Sequence, residues 1–363
     1  MNPRPELVRP DLRVLEGYHS PQLDVEVRLN TNEAPTPPPA QFTLDLTTAL
    51  SGIEWHRYPD RGATELRAAI ARMHQVDPAQ VLVANGSNEV LQTICLTFGG
   101  AGRTVATFEP TYAMHGQIAR TVQCEVVEGE RNEQFELEDA ELTRVLAQAA
   151  PAISFLCSPN NPTGTAERVE IVELALNLAP GVVVVDEAYG QFASFSALDL
   201  LARSGGANSD LPLLVTRTFS KTWSMAGARL GYVVGPSWMI AEMEKVLLPY
   251  HLDTAKQLAG TIALQFQDEM NARVAAIIEE RGRISSRLSE MGFQVWPSQA
   301  NFVLFRTTPL GRKGKDVWQG LVDRSVLVRD CSSWPRLEGC LRVTVGTPGD
   351  NNRFLEALEE VIS

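Results

Sequence analysis

From residue 63 onward, stretches with an apolar residue at every third or fourth position alternate with short stretches centred on runs of apolar, mostly β-branched residues. Residues 63–74, 89–98 and 111–121 have the first pattern and predict amphipathic helices. Residues 80–86, 103–110, 124–130, 152–158, 181–187, 212–219 and 228–235 have the second and predict strands, several ending in Gly, Pro, Asn or Ser. Apolar strands alternating with helices predict an α/β fold whose large domain is a mostly parallel sheet covered by helices on both faces.

After residue 248 the pattern changes. A long helical region over 253–291 precedes short strands at 301–306, 325–330 and 340–346 and a last helix at 351–362. This predicts a smaller α+β domain. The first 40 residues are proline-rich, end in TPPPA and have little apolar periodicity, which excludes a continuous helix. Leu29, Asn30, Asn32 and Pro35 form a compact turn cluster there. The segment reads as an extended arm that needs another surface, on the small domain or on a partner subunit. The expected division is arm 1–40, large domain 41–248 and small domain 249–363.

The chain has 363 residues, 44% of them hydrophobic and 21% charged, enough for a sizeable core. Its net charge of −12 disfavours nonspecific binding to nucleic acid or anionic membrane. No apolar run approaches the roughly 18 residues of a membrane span, and the opening residues lack the apolar core of a secretory signal. A cytoplasmic location is expected. The five cysteines are scattered without a C-x-x-C pair, which fits neither a disulfide framework nor a zinc site. The five histidines have no ligand spacing, so no metal site is expected.

Ligands of open α/β sheets sit beyond the carboxyl ends of the strands, so the residues after each strand carry the candidate chemistry. Asp186, Glu187, Ala188 and Tyr189 follow an all-valine strand. A carboxylate there seeks a cationic partner, although capping the next helix is an alternative role. Ser220 and Lys221 follow another strand, and lysine is the residue that forms Schiff bases with carbonyl compounds. Its plainer reading is a solvated loop lysine. Gly86, Ser87 and Asn88 open a helix whose free N–H groups suit a phosphate, or form an ordinary capped turn. Asn161 lies in a turn stiffened by Pro159 and Pro162. No dinucleotide fingerprint and no nucleotide P-loop is present.

Together these residues meet the needs of pyridoxal phosphate. A lysine takes the aldehyde, and a carboxylate keeps the pyridine nitrogen protonated. A helix N-terminus with Arg229 takes the phosphate. Asn161 and Tyr189 reach the ring hydroxyl, and Tyr112 stacks on the ring.

The motifs LNTNEAP, RYPD, NGSNEVLQ, PTYAMH, SPNNPTG, DEAY, TRTFSKTWSMAGARLGY, NFVLF, VLVRD and CLRVTVGTPGDN occur in that order. This series resembles the fold-type I pyridoxal-phosphate-dependent aminotransferases and, more narrowly, their histidinol-phosphate branch, from about Tyr18 to the C-terminus. The resemblance implies that Lys221 is the Schiff-base lysine and Asp186 the partner of the pyridine nitrogen. Tyr189 and Asn161 would contact the ring oxygen and Tyr112 would stack. The N–H groups around Gly86, Ser87 and Asn88, with Thr218, Ser220 and Arg229, would hold the phosphate. Tyr58 is similar to a residue that reaches the phosphate in the neighbouring subunit, which implies a homodimer with shared active sites. Arg342 would grip the substrate carboxylate, and Arg329, Asn32 and Tyr18 would complete the substrate pocket.

The implied reaction uses glutamate and 2-oxoglutarate on one side and a phosphorylated imidazole amino alcohol on the other, in histidine biosynthesis. An aromatic amino-acid aminotransferase, a threonine-phosphate decarboxylase-like lyase and a non-catalytic regulatory module are the alternatives on the same scaffold. Three places depart from the family's common pattern. Asn88 stands where many relatives carry Asp. TFSKTWSMAG replaces a frequent SKAFGLAG but keeps the spacing from Lys221 to Arg229. HLDTAKQ, from His251 to Gln257, carries an extra acid and base. Were this last segment to border the pocket, it would bear on substrate preference.

Overall fold

The computed structural model describes residues 5–17 and 21–363. Twelve strands are found among them: β1 (Val27–Leu29), β2 (Val81–Ala84), β3 (Thr104–Glu109), β4 (Glu125–Glu130), β5 (Ile153–Cys157), β6 (Val182–Asp186), β7 (Leu213–Thr218), β8 (Gly231–Val234), β9 (Gln294–Val295), β10 (Phe302–Arg306), β11 (Val326–Asp330) and β12 (Cys340–Thr344).

Seven strands form the large sheet in the order β2-β8-β7-β6-β5-β3-β4. All neighbours pair in parallel except β8, which is antiparallel to both β2 and β7. The apolar runs follow from this architecture. Successive side chains of a strand point to opposite faces. Val183 and Val185 of β6 enter one core and Val182 and Val184 the other. Val215 and Leu214 of β7, and Val234 and Val233 of β8, divide in the same way. With helices over both faces, no position in these strands is left for a polar face.

The first core is continuous with the small sheet, ordered β1-β11-β12-β10-β9, through Phe302, Val303, Phe305, Leu341 and Val343. The arm's β1 is the parallel edge strand of this sheet. Val27 pairs with Val326 and Leu29 with Val328, and both arm side chains are buried. The proline run then gives way to an unexpected helix, Ala40–Ser51, with Pro39 as its N-cap. The expected helical region over 253–291 is interrupted. It consists of Thr254–Ala263 and Gln267–Glu290, with turn bonds from Gln265 N to Ile262 O and from Phe266 N to Ala263 O. The turn brings Phe266 edge-on to Phe42, with ring centroids 6.3 Å apart.

The carboxyl ends of β3, β5, β6 and β7 open toward the small sheet. Register fixes what they present there, since Asp186 lies beside both Cys157 and Thr216. The five cysteines are free and buried.

Candidate active site

A cavity of about 910 Å³ lies between the strand ends of the large sheet and the small sheet. Thirteen of the expected site residues line it. They are Asn32, Ser87, Asn88, Tyr112, Asn161, Asp186, Tyr189, Thr218, Ser220, Lys221, Arg229, Arg329 and Arg342. They come from the ends of five large-sheet strands and the turns after them, from the turn before β8, from β11 and β12 of the small sheet, and from the arm.

Lys221 sits three residues past β7. Its Nζ donates to the carbonyl of Thr31 at 3.2 Å and lies 5.8 Å from the Tyr189 ring centroid. Burial, seconded by the positive charges of Arg342 and Arg229, pulls its pKa from 10.5 down to about 7, while Glu33 opposes the shift. The amine is therefore available unprotonated near neutral pH.

Asp186, the last residue of β6, is buried. One carboxylate oxygen accepts from Thr216 Oγ1 at 2.9 Å and from Ala188 N at 3.2 Å. The other is 2.9 Å from His115 Nε2. The His115 ring lies flat on Phe155, 4.7 Å away, and stands edge-on to Tyr112. Fixed from three sides, the carboxylate cannot turn away from the cavity.

At the opposite end, Gly86 caps the helix Ser87–Phe98 with no side-chain hydrogen bond, which leaves the first N–H groups open. Gly86 has φ +86°, and a Cβ there would lie 2.8 Å from the Arg229 guanidinium. Only glycine allows the turn and the arginine to meet. Gly231 is equally necessary, because a Cβ on it would lie 2.4 Å from Ser87 N. Arg229 Nη1 donates to Ser220 Oγ at 3.4 Å, and Thr218 Oγ1 donates to Ser220 Oγ at 3.0 Å. Tyr112 donates its hydroxyl to Asn88 Oδ1 at 3.0 Å, so the amide at this position ties the aromatic ring to the helix start.

The SPNNPTG turn is held by Asn160, which is buried. Its amide donates to Pro110 O at 2.9 Å and Thr163 Oγ1 at 2.8 Å and accepts from Thr111 Oγ1 at 2.8 Å. Asn161 beside it accepts from Arg342 Nη1 at 2.5 Å. Arg342 also donates to the Asn30 carbonyl of the arm at 2.9 Å, and its guanidinium lies 5.1 Å from the Phe302 ring centroid. Its buried Nε has no partner. Asn32 donates its amide to Tyr189 Oη at 2.8 Å. Burial raises the Tyr189 phenol to about 12, outweighing Arg342 and Asn32, so it stays a neutral donor. Arg329 lies 5.3 Å from the Trp334 ring centroid.

The remaining expected residues fall elsewhere. Gly86 does not line the cavity itself but lies next to Ser87 and Arg229, which do. Tyr58 lies outside it, 81% exposed and stacked at 4.5 Å on Tyr250 of the same chain. Tyr18 lies outside the described residues. HLDTAKQ does not line the cavity.

The residues present fit pyridoxal phosphate. An uncapped helix start and an arginine would suit an anion, a buried carboxylate would suit a cationic ring nitrogen, and a lysine of lowered pKa lies in the same cavity. The profile of the family "Aminotransferase class I and II" matches residues 25–358. A histidinol-phosphate aminotransferase of Corynebacterium diphtheriae is 40% identical, over 98% of this chain and 96% of its own. That of Frankia casuarinae is 43% identical, over 98% and 90%. The chain belongs to the histidinol-phosphate aminotransferases, within aminotransferase class I and II. The fold agrees. The histidinol-phosphate aminotransferase of Sinorhizobium meliloti superposes with a TM-score of 0.87 at 22% identity, covering 98% of this chain and 97% of that one.

Sequence reasoning overlooked two neighbours of the site. His115 stands within the PTYAMH motif, but a lone histidine on a helix shows no partner in sequence. Glu33 belongs to LNTNEAP and lines the cavity, and its charge acts on Lys221.

Proposed function

We propose that this aminotransferase moves an amino group between L-histidinol phosphate and 2-oxoglutarate, with pyridoxal 5'-phosphate held in the cavity between the two sheets. The observation that carries the reading is the placement of Lys221, Asp186 and the Gly86–Arg229 turn around one cavity. Two further arginines, Arg342 and Arg329, line the same space.

When bound, the cofactor supplies the electron sink that makes the substrate Cα–H acidic. The chain's own residues supply position and protons. Asp186, immobilised by His115, Thr216 and the Ala188 N–H, would keep a proton on the ring nitrogen. Tyr189 and Asn161 would orient the ring through its hydroxyl, and Tyr112 would stack on it. The N–H groups of Ser87 and Asn88, with Ser220, Thr218 and Arg229, would hold the phosphate. Lys221 Nζ would take the proton from the substrate Cα as general base and deliver it, as general acid, to the cofactor's aldehyde carbon, a role suited to an amine titrating near neutrality. Arg342 presents a planar fork to an oxyanion, which suits the carboxylate of glutamate and the phosphate of the second substrate alike. Arg329 and Asn32 complete that end.

The same reading covers assembly. The stacked Tyr58 and Tyr250 are exposed, as are Trp55 and Leu248, three and two residues from them in sequence, and these side chains supply the apolar contact of a homodimer that shares its active sites. The arm 1–40, a large unit 41–248 and a small unit 249–363 are the working parts. The helix Thr254–Ala263 packs back onto the large unit, with Gly260 against Leu66 and Leu230. No helix among the described residues is long and apolar enough to cross a membrane. Kinship with the histidinol-phosphate aminotransferases supports a cytoplasmic location.

The test is an assay with glutamate as amino donor and imidazole acetol phosphate or phenylpyruvate as acceptor, following 2-oxoglutarate. A large kcat/KM preference for the phosphate ester is expected. A preference for phenylpyruvate would move the chain's activity to aromatic amino acids, and release of carbon dioxide would mark a lyase.

A further inference from the structure

HLDTAKQ is the sequence departure that the site does not absorb, and it lies directly behind the phosphate end. Lys256 Nζ donates to Asn85 Oδ1 at 2.7 Å. Asn85 is the residue before Gly86. Its Nδ2 donates to Glu89 Oε2 at 2.9 Å and to the His251 carbonyl at 2.8 Å, and its backbone N–H donates to the same Glu89 oxygen. His251 Nε2 donates to the Val83 carbonyl at 2.8 Å. Lys256 is itself steadied by Asp253, 3.1 Å away, which caps the helix that carries it. The connection 251–256 therefore grips β2 at Val83 and the residue just after it, Asn85.

The opposite side of the turn has no slack. Gly231 backs Ser87, and Arg229 presses on Gly86. The alignment of the open N–H groups is thus set between Arg229 and Gly231 on one side and Asn85 on the other. Lys256 is the cation on Asn85, and it saturates the Asn85 Oδ1 that fixes which way the amide points.

We propose that Lys256 is a positioning residue for the cofactor phosphate, acting through Asn85 on the Gly86–Asn88 turn. The inference rests on the reading that this turn binds the phosphate. Lys256 itself does not line the cavity. Its loss loosens the turn without touching the chemistry. A hydrogen bond from a charged donor supports a change of about tenfold in affinity.

The experiment measures the dissociation constant of pyridoxal phosphate for Lys256→Met, Lys256→Gln and Arg229→Met in the full chain, with the melting temperature of each before and after cofactor addition. Lys256→Met should raise the dissociation constant about tenfold. Lys256→Gln, which keeps a donor, should stay within about twofold of the parent. The cofactor-free melting temperature should not move, and kcat at saturating cofactor should be unchanged. Unaltered affinity in Lys256→Met overturns the proposal. A Lys256→Gln as weak as Lys256→Met replaces the bond to Asn85 by bare charge and also overturns it. A cofactor-free melting temperature that falls as far as that of the loaded protein assigns Lys256 a structural brace only. Arg229→Met is the control on the underlying reading. If it too binds cofactor as the parent does, the phosphate assignment itself fails.

Discussion

The Arg342 guanidinium hydrogen-bonds the Asn161 side-chain oxygen at 2.5 Å, joining the middle of the small sheet to the turn after β5 of the large one. The same guanidinium reaches the arm at Asn30. Because Asn161 Oδ1 accepts this bond, its Nδ2 is left to donate into the cavity. One arginine thus orders an amide of the cavity wall and lines the same cavity itself.

Arg342→Lys keeps the charge and loses the fork. A single ammonium cannot replace the bonds to Asn161 and Asn30 while also gripping an oxyanion. We expect kcat/KM to fall about a hundredfold for glutamate and for imidazole acetol phosphate alike. Steady-state kinetics with each substrate varied in turn checks this. A loss confined to one substrate contradicts a shared anion site.

Asp186→Asn removes the negative charge but preserves the shape, and turnover should drop by at least about a hundredfold. His115→Phe keeps the stack on Phe155 and withdraws one hydrogen bond from Asp186. Here kcat should fall about tenfold with KM nearly unchanged, as expected of a positioning residue. A His115→Phe enzyme with the parent's kcat would show that Thr216 and Ala188 suffice to hold the carboxylate.

The lowered pKa of Lys221 sets a pH profile. Only the neutral amine attacks the cofactor aldehyde. With a pKa of about 7 in place of 10.5, half of the amine is neutral near pH 7 and nearly all of it from about one to two pH units above. The rate of reconstitution of cofactor-free enzyme should therefore climb through neutrality and level off by about pH 9. Stopped-flow absorbance across pH 5 to about 10 tests this. A rate that still climbs at the alkaline end contradicts the burial argument.

Leu248→Asp places a charge on the exposed apolar face beside the Tyr58–Tyr250 stack. Sedimentation should show the dimer dissociating, with turnover lost in proportion to the single-chain fraction. A parent protein that sediments as one chain and remains fully active would remove the shared-site reading of Tyr58.

Most of the large sheet was legible because its strands are buried on both faces, so Val182–Val185 and Leu213–Val215 are unmistakable apolar runs. The cavity was legible for a related reason. Strand ends in a parallel sheet converge, so the residues after each run could be gathered before any coordinates. What escaped depends on distant partners. β1 is three residues long and becomes a strand only through β11, about 300 residues later in the chain. The break before Gln267 has no Gly or Pro to announce it, and packing of Phe266 on Phe42 decides it. His115 acquires meaning from Asp186, 71 residues away. Lys256 acquires its place from Asn85, 171 residues away.

The assignment of Lys221 carries the account. The chain has only five lysines, Lys221, Lys245, Lys256, Lys313 and Lys315, so it can be tested cleanly. Holoenzyme is reduced with borohydride, digested and mapped by mass spectrometry, with Lys221→Ala run beside it. A pyridoxyl phosphate adduct is expected on Lys221 alone, and a folded Lys221→Ala protein with neither adduct nor turnover. An adduct on another lysine, or substantial transamination by Lys221→Ala, would contradict it.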